Sequence, residues 1–176
     1  GTMQVTVTAT DAVGNTSQCT VDVGVNDTEN PVANCSATQT VSNDPGECGA
    51  VVSFSIPDPA DNCAGATASA NPASGSFFDV GTTEVTVTAT DATGNTSQCT
   101  FDVVVNDTEN PSANCPGTQT ASNDAGECGA NVSFTIPGPT DNCAGATASA
   151  NPASGSFFDV GTTQVTVTAT DANSNT

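Results

Sequence analysis

Carboxylate and amide side chains recur along this chain in three short acidic segments, and their chemistry suits a hard cation. The segments are "NDTENP", "DN" before "CAGAT", and the loop that starts at the Asp of "TATDA". Ca²⁺ typically takes about six to eight oxygen ligands, mostly from carboxylates and carbonyls. We therefore predict Ca²⁺ as a cofactor, bound by two sets of residues. The first set is Asp27, Glu29, Asn30, Asp61, Asn62 and Asp91, and the second is Asp107, Glu109, Asn110, Asp141, Asn142 and Asp171.

The chain has no cation of its own to balance these groups. It contains 19 Asp and Glu residues and no Lys, Arg or His, which gives a formal net charge of −19. Self-repulsion of this size destabilises a compact state unless counterions or bound metal offset it. The alternative to a metal site is ordinary turn chemistry, in which Asp and Asn bond the backbone of their own loops and Gly94 and Asn95 suit a tight hairpin.

The missing cations also exclude several classes of function. Nucleic acids and anionic membrane surfaces are bound through Lys and Arg. No His or Lys is available to activate a nucleophile. A hydrolase with paired carboxylates needs neither residue, but near-identical carboxylates in successive repeats indicate a structural role. The composition therefore predicts a protein that is not an enzyme.

An 80-residue repeat organises the chain. The block "DNCAGATASANPASGSFFDVGTT" is identical at 61–83 and 141–163. Residues 26–105 form a complete repeat, here called repeat A, and residues 106–176 form repeat B, which stops before its last strand. Residues 1–25 match the last two strands of a repeat that we expect to precede repeat A. We interpret the chain as a window on a longer tandem array.

The apolar residues within a repeat alternate, and this period of two predicts strands. In "EVTVTATD", Val85, Val87 and Ala89 share one face and Thr residues occupy the other. Pro and Gly clusters separate the strands, and no helical period is present. The pattern predicts an all-β protein built of Ig-like antiparallel β-sandwiches in an end-to-end array. In such a sandwich the entering linker, the loop after the second strand and the last hairpin loop lie at one end, so the three acidic segments are expected to converge.

Eight Cys residues, four in each period, indicate disulfides rather than zinc ligands, because the chain has no His. They predict an oxidising location, outside the cell or at its surface. A repeat this small, without Trp or Tyr, has a thin core, and each disulfide is expected to contribute about 2–4 kcal/mol.

Several motifs occur together in a fixed order within each repeat: "DTENP", an early Cys, "DN", "SGSFFDVGTT" and "VTATDA", followed in repeat A by a Cys in the last strand. This order resembles the hyalin repeat, or HYR domain, over the whole repeat. The family is similar to immunoglobulin and fibronectin type III sandwiches and occurs as tandem copies in extracellular proteins with adhesion and matrix roles. The resemblance implies a module and not a catalyst. The linker also looks like the joint between cadherin repeats, where calcium stiffens the array.

The resemblance also implies a cysteine pairing. Many family members carry only two Cys, which match Cys35 and Cys99, so a Cys35–Cys99 bond is expected. Cys48 is then expected to pair with Cys63, and Cys128 with Cys143. Cys19 and Cys115 would find partners in strands outside this chain, or would join neighbouring copies in a covalent filament. The first alternative is favoured, because residues 1–16 largely duplicate residues 161–176 and a donor segment would not need that duplicate.

Glycans are a further expectation. Asn15, Asn95 and Asn131 begin N-x-S/T sequons and are predicted glycosylation sites. Sequons also begin at Asn26, Asn34 and Asn106, where the acidic hinge or a neighbouring Cys is expected to block some of them. The outward Thr rows favour β-structure and solubility over O-linked glycans, and sheet twist argues against an ice-binding face.

We expect an extracellular structural protein that forms a stalk or filament, stiffened by calcium and glycosylated. Its partners would be neighbouring copies or repeats of the same array. The alternative is a calcium-dependent adhesin that binds a receptor or carbohydrate through its loops. Near-identical loops without Trp or Tyr favour the structural role.

Overall fold

The computed structural model describes all 176 residues and contains strands but no helix, so it has no helix able to cross a membrane. The strands are β1 (Thr2–Thr10), β2 (Thr16–Gly24), β3 (Gln39–Ser42), β4 (Gly49–Val52), β5 (Thr67–Asn71), β6 (Ser76–Asp79), β7 (Gly81–Thr90), β8 (Thr96–Asn106), β9 (Gly129–Asn131), β10 (Thr147–Asn151), β11 (Phe157–Asp159) and β12 (Thr166–Thr170). The predicted all-β, Ig-like fold class is confirmed.

The chain divides into two compact units that cut across the sequence repeats. The first comprises residues 1–36, 56–71 and 86–100. The second comprises residues 37–55, 72–85 and 101–176.

The first unit contains the β1–β2 hairpin and the pairing of β5 with the second half of β7. β1 and β2 are antiparallel from Thr2 opposite Gly24 to Thr10 opposite Thr16. The hairpin has nearly the same sequence as β7 and β8, but its apolar face is open: Val7 is 52% exposed and its equivalent Val87 is 0% exposed. Residues 2–24 thus form a hairpin, and their assignment to a preceding repeat stays a prediction.

The second unit contains strand pairs from both repeats. β3 runs parallel to the end of β8, and β4 pairs with β6 in the antiparallel sense. β9 with β11 and β10 with β12 are antiparallel pairs of repeat B. In repeat A the four-stranded sheet has the order β3-β8-β7-β5. The first and last strands of the repeat are therefore parallel.

The core follows the predicted alternation. Val85, Val87 and Ala89 in β7 are buried, and the Thr residues between them are partly exposed. β8 alternates in the same way between Phe101 and Val105. The Phe54 ring meets Phe78 of β6 and Phe101 of β8 edge to face, with ring centroids 6.5 and 5.0 Å apart. Phe side chains thus supply the aromatic packing of this core, because the chain has no Trp or Tyr.

Gly129, at the start of β9, allows two strands of repeat B to approach closely. A Cβ atom there would overlap the carbonyl oxygen of Phe158 and lie 2.5 Å from Cζ of Phe157. We expect Gly129→Ala to lower the free energy of unfolding by about 1–3 kcal/mol, because backbone cannot yield as a flexible side chain can. Gly138→Ala, where nothing lies within 4 Å, should change it by less than about 1 kcal/mol. Urea unfolding of both variants checks this, and equal losses would contradict it.

Candidate metal centre

Two clusters of three aspartates lie one in each repeat. Triad A consists of Asp27, Asp61 and Asp91, and triad B consists of Asp107, Asp141 and Asp171. Within each triad, one carboxylate oxygen from each residue lies within 4.8 Å of the others. The linker before β3, the loop before β5 and the β7–β8 loop supply triad A. The structure thus brings together the three kinds of acidic segment that recur in the sequence.

The β7–β8 loop holds the Asp91 carboxylate in one orientation. Its Oδ1 accepts hydrogen bonds from the backbone N–H groups of Thr93, Gly94 and Asn95 at 2.9, 2.6 and 2.8 Å. Burial opposes ionisation of Asp91, but hydrogen bonds from Asn95 and Thr93 outweigh it and hold the pKa of this carboxyl below its usual value. Asp91 is therefore ionised at neutral pH, which is the form that binds a cation.

The last hairpin loop is also tied to the linker. Asn95 Nδ2 donates to Asp91 Oδ2 at 2.8 Å and to the backbone oxygen of Asp27 at 3.4 Å. In repeat B, Asn175 makes both bonds, to Asp171 Oδ2 at 2.7 Å and to the backbone oxygen of Asp107 at 3.2 Å. The pKa of Asp171 is lowered as that of Asp91 is: burial opposes ionisation, and hydrogen bonds from Asn175 and its loop prevail. The same loop geometry therefore recurs in both repeats.

Each triad contains buried carboxylate oxygens that receive no hydrogen bond. They are Asp27 Oδ2 and Asp61 Oδ1 in triad A, and Asp107 Oδ2 and Asp141 Oδ1 in triad B. Asp107 is only 5% exposed, and its other oxygen accepts from the N–H of Glu109 at 3.2 Å. An unpaired buried carboxylate oxygen is costly unless a cation compensates it. The donor set, all oxygen and all anionic, fits Ca²⁺.

The other predicted ligands lie outside the triads or beside them. Asn142 is the one beside triad B: its Nδ2 donates to Asp107 Oδ1 at 3.3 Å, and its buried Oδ1 has no donor. Glu109 differs from the prediction, because both of its carboxylate oxygens accept from the backbone N–H of Gly46, at 3.0 and 2.9 Å. The remaining four are exposed and outside the triads: Glu29, Asn30, Asn62 and Asn110.

A free thiol lies next to triad A. Interaction of the thiol with the Asp27 carboxylate, then burial, then the charges of all three triad aspartates raise the pKa of Cys63. A raised pKa means a small thiolate fraction, so Cys63 is a poor nucleophile in this chain.

One predicted disulfide is present and two are not. Cys35 is bonded to Cys99, as predicted. Cys48, however, is bonded to Cys143, and Cys63 and Cys128 are free, so the predicted pairs Cys48–Cys63 and Cys128–Cys143 are corrected. The reason is that the turn that carries Cys48 is bonded to Asn106, at the end of β8, and its Glu47 carbonyl accepts from Asn142, the residue next to Cys143.

Cys19 and Cys115 are exposed free thiols. By the 80-residue period Cys19 is equivalent to Cys99, and Cys115 to Cys35. The prediction that their partners lie outside this chain stays a prediction.

Comparison with known proteins gives the family. The family model of the HYR domain matches residues 26–105 and 106–176. The chain belongs to the HYR domain family. These are the ranges that the sequence repeat defines as repeats A and B. The chain is 36% identical over 186 residues to hyalin of Strongylocentrotus purpuratus and 38% identical over 186 residues to hyalin of Lytechinus variegatus.

The two alignments cover 99% of this chain but only 15% and 34% of the two hyalins. The HYR repeats described here therefore correspond to a small part of those proteins. No solved structure matches the chain.

A groove in repeat B has a volume of about 930 Å³ and is lined by residues that include Val132, Phe134 and Phe158. In the first HYR repeat the equivalent Phe54 packs on Phe101 of β8. The groove is thus the face that β8 covers in a complete HYR repeat, and we assign no ligand to it.

The three predicted glycosylation sites differ in what their amides contact. Asn95 Nδ2, the atom that would carry a glycan, donates to Asp91, Thr93 and Asp27. Asn15 Nδ2 donates to Asp11 at 2.8 Å, and this bond contributes most to the lowered pKa of Asp11. Asn131 is exposed, and its side-chain Nδ2 makes one bond, to Asp124 Oδ2 at 3.3 Å. A glycan at Asn131 would disturb least, and glycosylation stays a prediction at all three sites.

Proposed function

We propose that this chain is part of an extracellular structural repeat array in which Ca²⁺, bound at one aspartate triad per repeat, fastens the linker to the loops of the repeat that follows it. The observation that carries the proposal is the unpaired buried oxygen of Asp107, together with its counterpart in Asp27. Each of these two aspartates has a carboxylate oxygen within 4.8 Å of carboxylate oxygens of two further aspartates, and the chain contains no Lys, Arg or His that could neutralise them.

The three segments of a triad explain what bound calcium would do. Asp107 belongs to the linker between the repeats, Asp141 to the loop before β10, and Asp171 to the loop after β12. One ion held by all three would replace mutual repulsion by attraction to a common centre. The linker is already bonded to the last loop through Asn175, so the ion would strengthen an existing contact.

The near-identical loop sequences of the two repeats favour a structural role over an adhesin role. The loops that carry the triads have nearly the same sequence in both, and the chain contains no Trp or Tyr. A recognition site typically concentrates aromatic or arginine anchors in one place. A stalk or filament made of equivalent HYR repeats needs only identical joints. The similarity to two hyalins, both much longer than this chain, supports an array of many such repeats.

Calcium binding is tested by the number of ions taken up. The chain is stripped with EGTA, dialysed, and titrated with CaCl₂ in a calorimeter. We expect two ions per chain, one for each triad. The loop at Asp11 has no linker or second-loop aspartate beside it and should bind none. Mg²⁺, which demands tighter octahedral geometry, should compete poorly. No heat of binding with millimolar CaCl₂ would overturn the proposal.

A further inference from the structure

A turn of repeat A is bonded to the linker and to a loop of repeat B. This region, here called the joint, consists of the turn at residues 43–48, the linker at residues 107–109 and the loop at residues 142–143. All of it lies in the second compact unit. The joint contains hydrogen bonds and a disulfide.

Glu109 anchors the linker to the turn. Its two carboxylate oxygens accept from the N–H of Gly46 at 3.0 and 2.9 Å, and Oε2 also accepts from Asn43 Nδ2 at 3.3 Å. Hydrogen bonds to an ionised carboxylate are stronger than those between neutral groups. Gly46 has a positive φ of 78°, which turns its N–H toward the linker at no steric cost.

Asn43 is hydrogen-bonded to the backbone of the linker. It is only 9% exposed, and its Oδ1 accepts from the N–H of Thr108 at 3.0 Å. Its Nδ2 donates to the carbonyl of Glu47 at 3.2 Å, within its own turn. The carbonyl of Glu47 also accepts from Asn142 Nδ2 at 3.0 Å. The turn of one repeat therefore contacts both the linker and the loop of the next.

The disulfide closes the same joint covalently. Cys48, which follows Glu47, is bonded to Cys143, which follows Asn142; their Cα atoms are 4.8 Å apart and their sequence separation is 95. Because one cysteine belongs to repeat A and the other to repeat B, this bond links successive repeats.

The 80-residue period assigns a role to two of the free cysteines. Cys128 occupies the position of Cys48 in its "GECG" turn, and Cys63 occupies the position of Cys143 in its "DNC" loop. Both are exposed thiols. Each has the sequence context of one half of the joint bond. In an array, the other half belongs to the neighbouring repeat.

We propose that the cysteine of each "GECG" turn is bonded to the cysteine of the "DNC" loop in the following repeat, so that every joint of the array is a covalent cross-link. Cys63 then belongs to the joint before repeat A, and Cys128 to the joint after repeat B. Each bond forms when two thiols give two electrons and two protons to a small-molecule disulfide, which is reduced to two thiols.

The cross-links also overlap along the chain. The loop closed by Cys35 and Cys99 overlaps the loop closed by Cys48 and Cys143. With both bonds repeated at every period, successive closed loops would cover the chain without a gap. Tension on such an array could not unravel a repeat fully without reduction of a disulfide.

Thiol counting separates the two possible connectivities. The unreduced chain is denatured, treated with iodoacetamide and weighed by mass spectrometry. The structure predicts four alkylated cysteines: Cys19, Cys63, Cys115 and Cys128. Pairing within repeats would leave only Cys19 and Cys115 free. Two alkylations instead of four would overturn the proposal.

Peptide mapping then needs a variant, because cleavage before Asp releases identical peptides 61–78 and 141–158. The double variant Cys63→Ala and Cys128→Ala removes this ambiguity. We expect it to keep the link between peptide 44–57 and the peptide that carries Cys143. Loss of that link would overturn the proposal, because both pairs within repeats require one of the mutated cysteines.

Single-molecule stretching gives an independent measure in the Cys35→Ala, Cys99→Ala chain. The bond across the joint withholds 95 residues from extension, so dithiothreitol should lengthen the unfolded chain by about 330 Å at ~3.5 Å per residue. Two bonds within repeats would withhold about 15 residues each, and reduction would then release only about 100 Å. The longer value supports a covalent joint, and the shorter one contradicts it.

Discussion

Replacing Asp141 by Asn is expected to abolish calcium-dependent stabilisation of repeat B and, without calcium, to make the protein more stable. In the absence of the ion, three carboxylates lie within 4.8 Å of one another, and removing one charge relieves their repulsion. In its presence, the missing charge removes a ligand. The two effects have opposite signs, which a residue with a packing role alone would not produce.

The size of the effect follows from mass action. An ion at about 100 times its dissociation constant stabilises the state that binds it by about 2.7 kcal/mol. For a domain of this size, that corresponds to a rise in Tm on the order of 10–20 °C. Melting curves with CaCl₂ and with EGTA should therefore diverge for the wild type. For Asp141→Asn, the melting curves with CaCl₂ and with EGTA should coincide in the transition of repeat B.

Two variants serve as controls for Asp141→Asn. Asp61→Asn should remove the response of repeat A, because Asp61 has the same place in triad A. Asp11→Asn alters the same kind of loop, with Asp11 bonded to Asn15, but belongs to neither triad. It should leave both calcium responses unchanged. If Asp11→Asn and Asp141→Asn reduced the response equally, the triad would not be the site.

The faces of the strands could be predicted from sequence because each is decided locally. β7 and β8 alternate between apolar and polar residues, and a strand with this pattern has only one face that can be buried without cost. The buried residues of β7 are therefore the ones predicted. The same logic fails for β1 and β2, whose apolar residues are exposed, because burial depends on partner strands and not on the strand's own pattern.

The aspartates of the site were predictable, and most of their neighbours were not. Asp61 and Asp91 follow strand ends or turns whose position in the sandwich is set by topology. The direction of Glu109 is set by Gly46, which is 63 residues away in sequence. No local sequence pattern predicts a contact between residues so far apart in the chain. The unpaired oxygens of the triads likewise emerge only from the packed structure.

The cysteine pairing shows a limit that is specific to repeats. A shift by 80 residues turns Cys63 into Cys143, so a bond within a repeat and a bond to the next repeat have the same sequence pattern. Only the three-dimensional position of the turn at residues 43–48, where the Asn43 N–H donates to the carbonyl of Asn106 at the end of β8, selects the second. The Cys35–Cys99 pair could be predicted without this ambiguity, because the prediction came from the family resemblance.

Removing the Cys35–Cys99 disulfide is expected to destabilise the protein by about 4 kcal/mol, because the bond closes a long loop in the unfolded chain. The two cysteines are 64 residues apart. The bond holds the segment before β3 against β8, where Ala33 N–H also donates to Ser97 Oγ at 2.9 Å. Urea unfolding of the Cys35→Ala, Cys99→Ala variant should show a lower midpoint and, because the unfolded chain is less compact, a larger m-value.

The chain supplies its own matched control for this variant. Cys19 has the "SQCT" context of Cys99, and Cys115 has the "ANC" context of Cys35. Both are exposed and unbonded, so Cys19→Ala with Cys115→Ala should change the free energy of unfolding by less than about 0.5 kcal/mol. The two double variants delete the same atoms from the same local sequences and differ only in whether a bond is broken. Equal losses would mean that the cysteines act through packing, and the account of this repeat as a disulfide-stabilised module would fail.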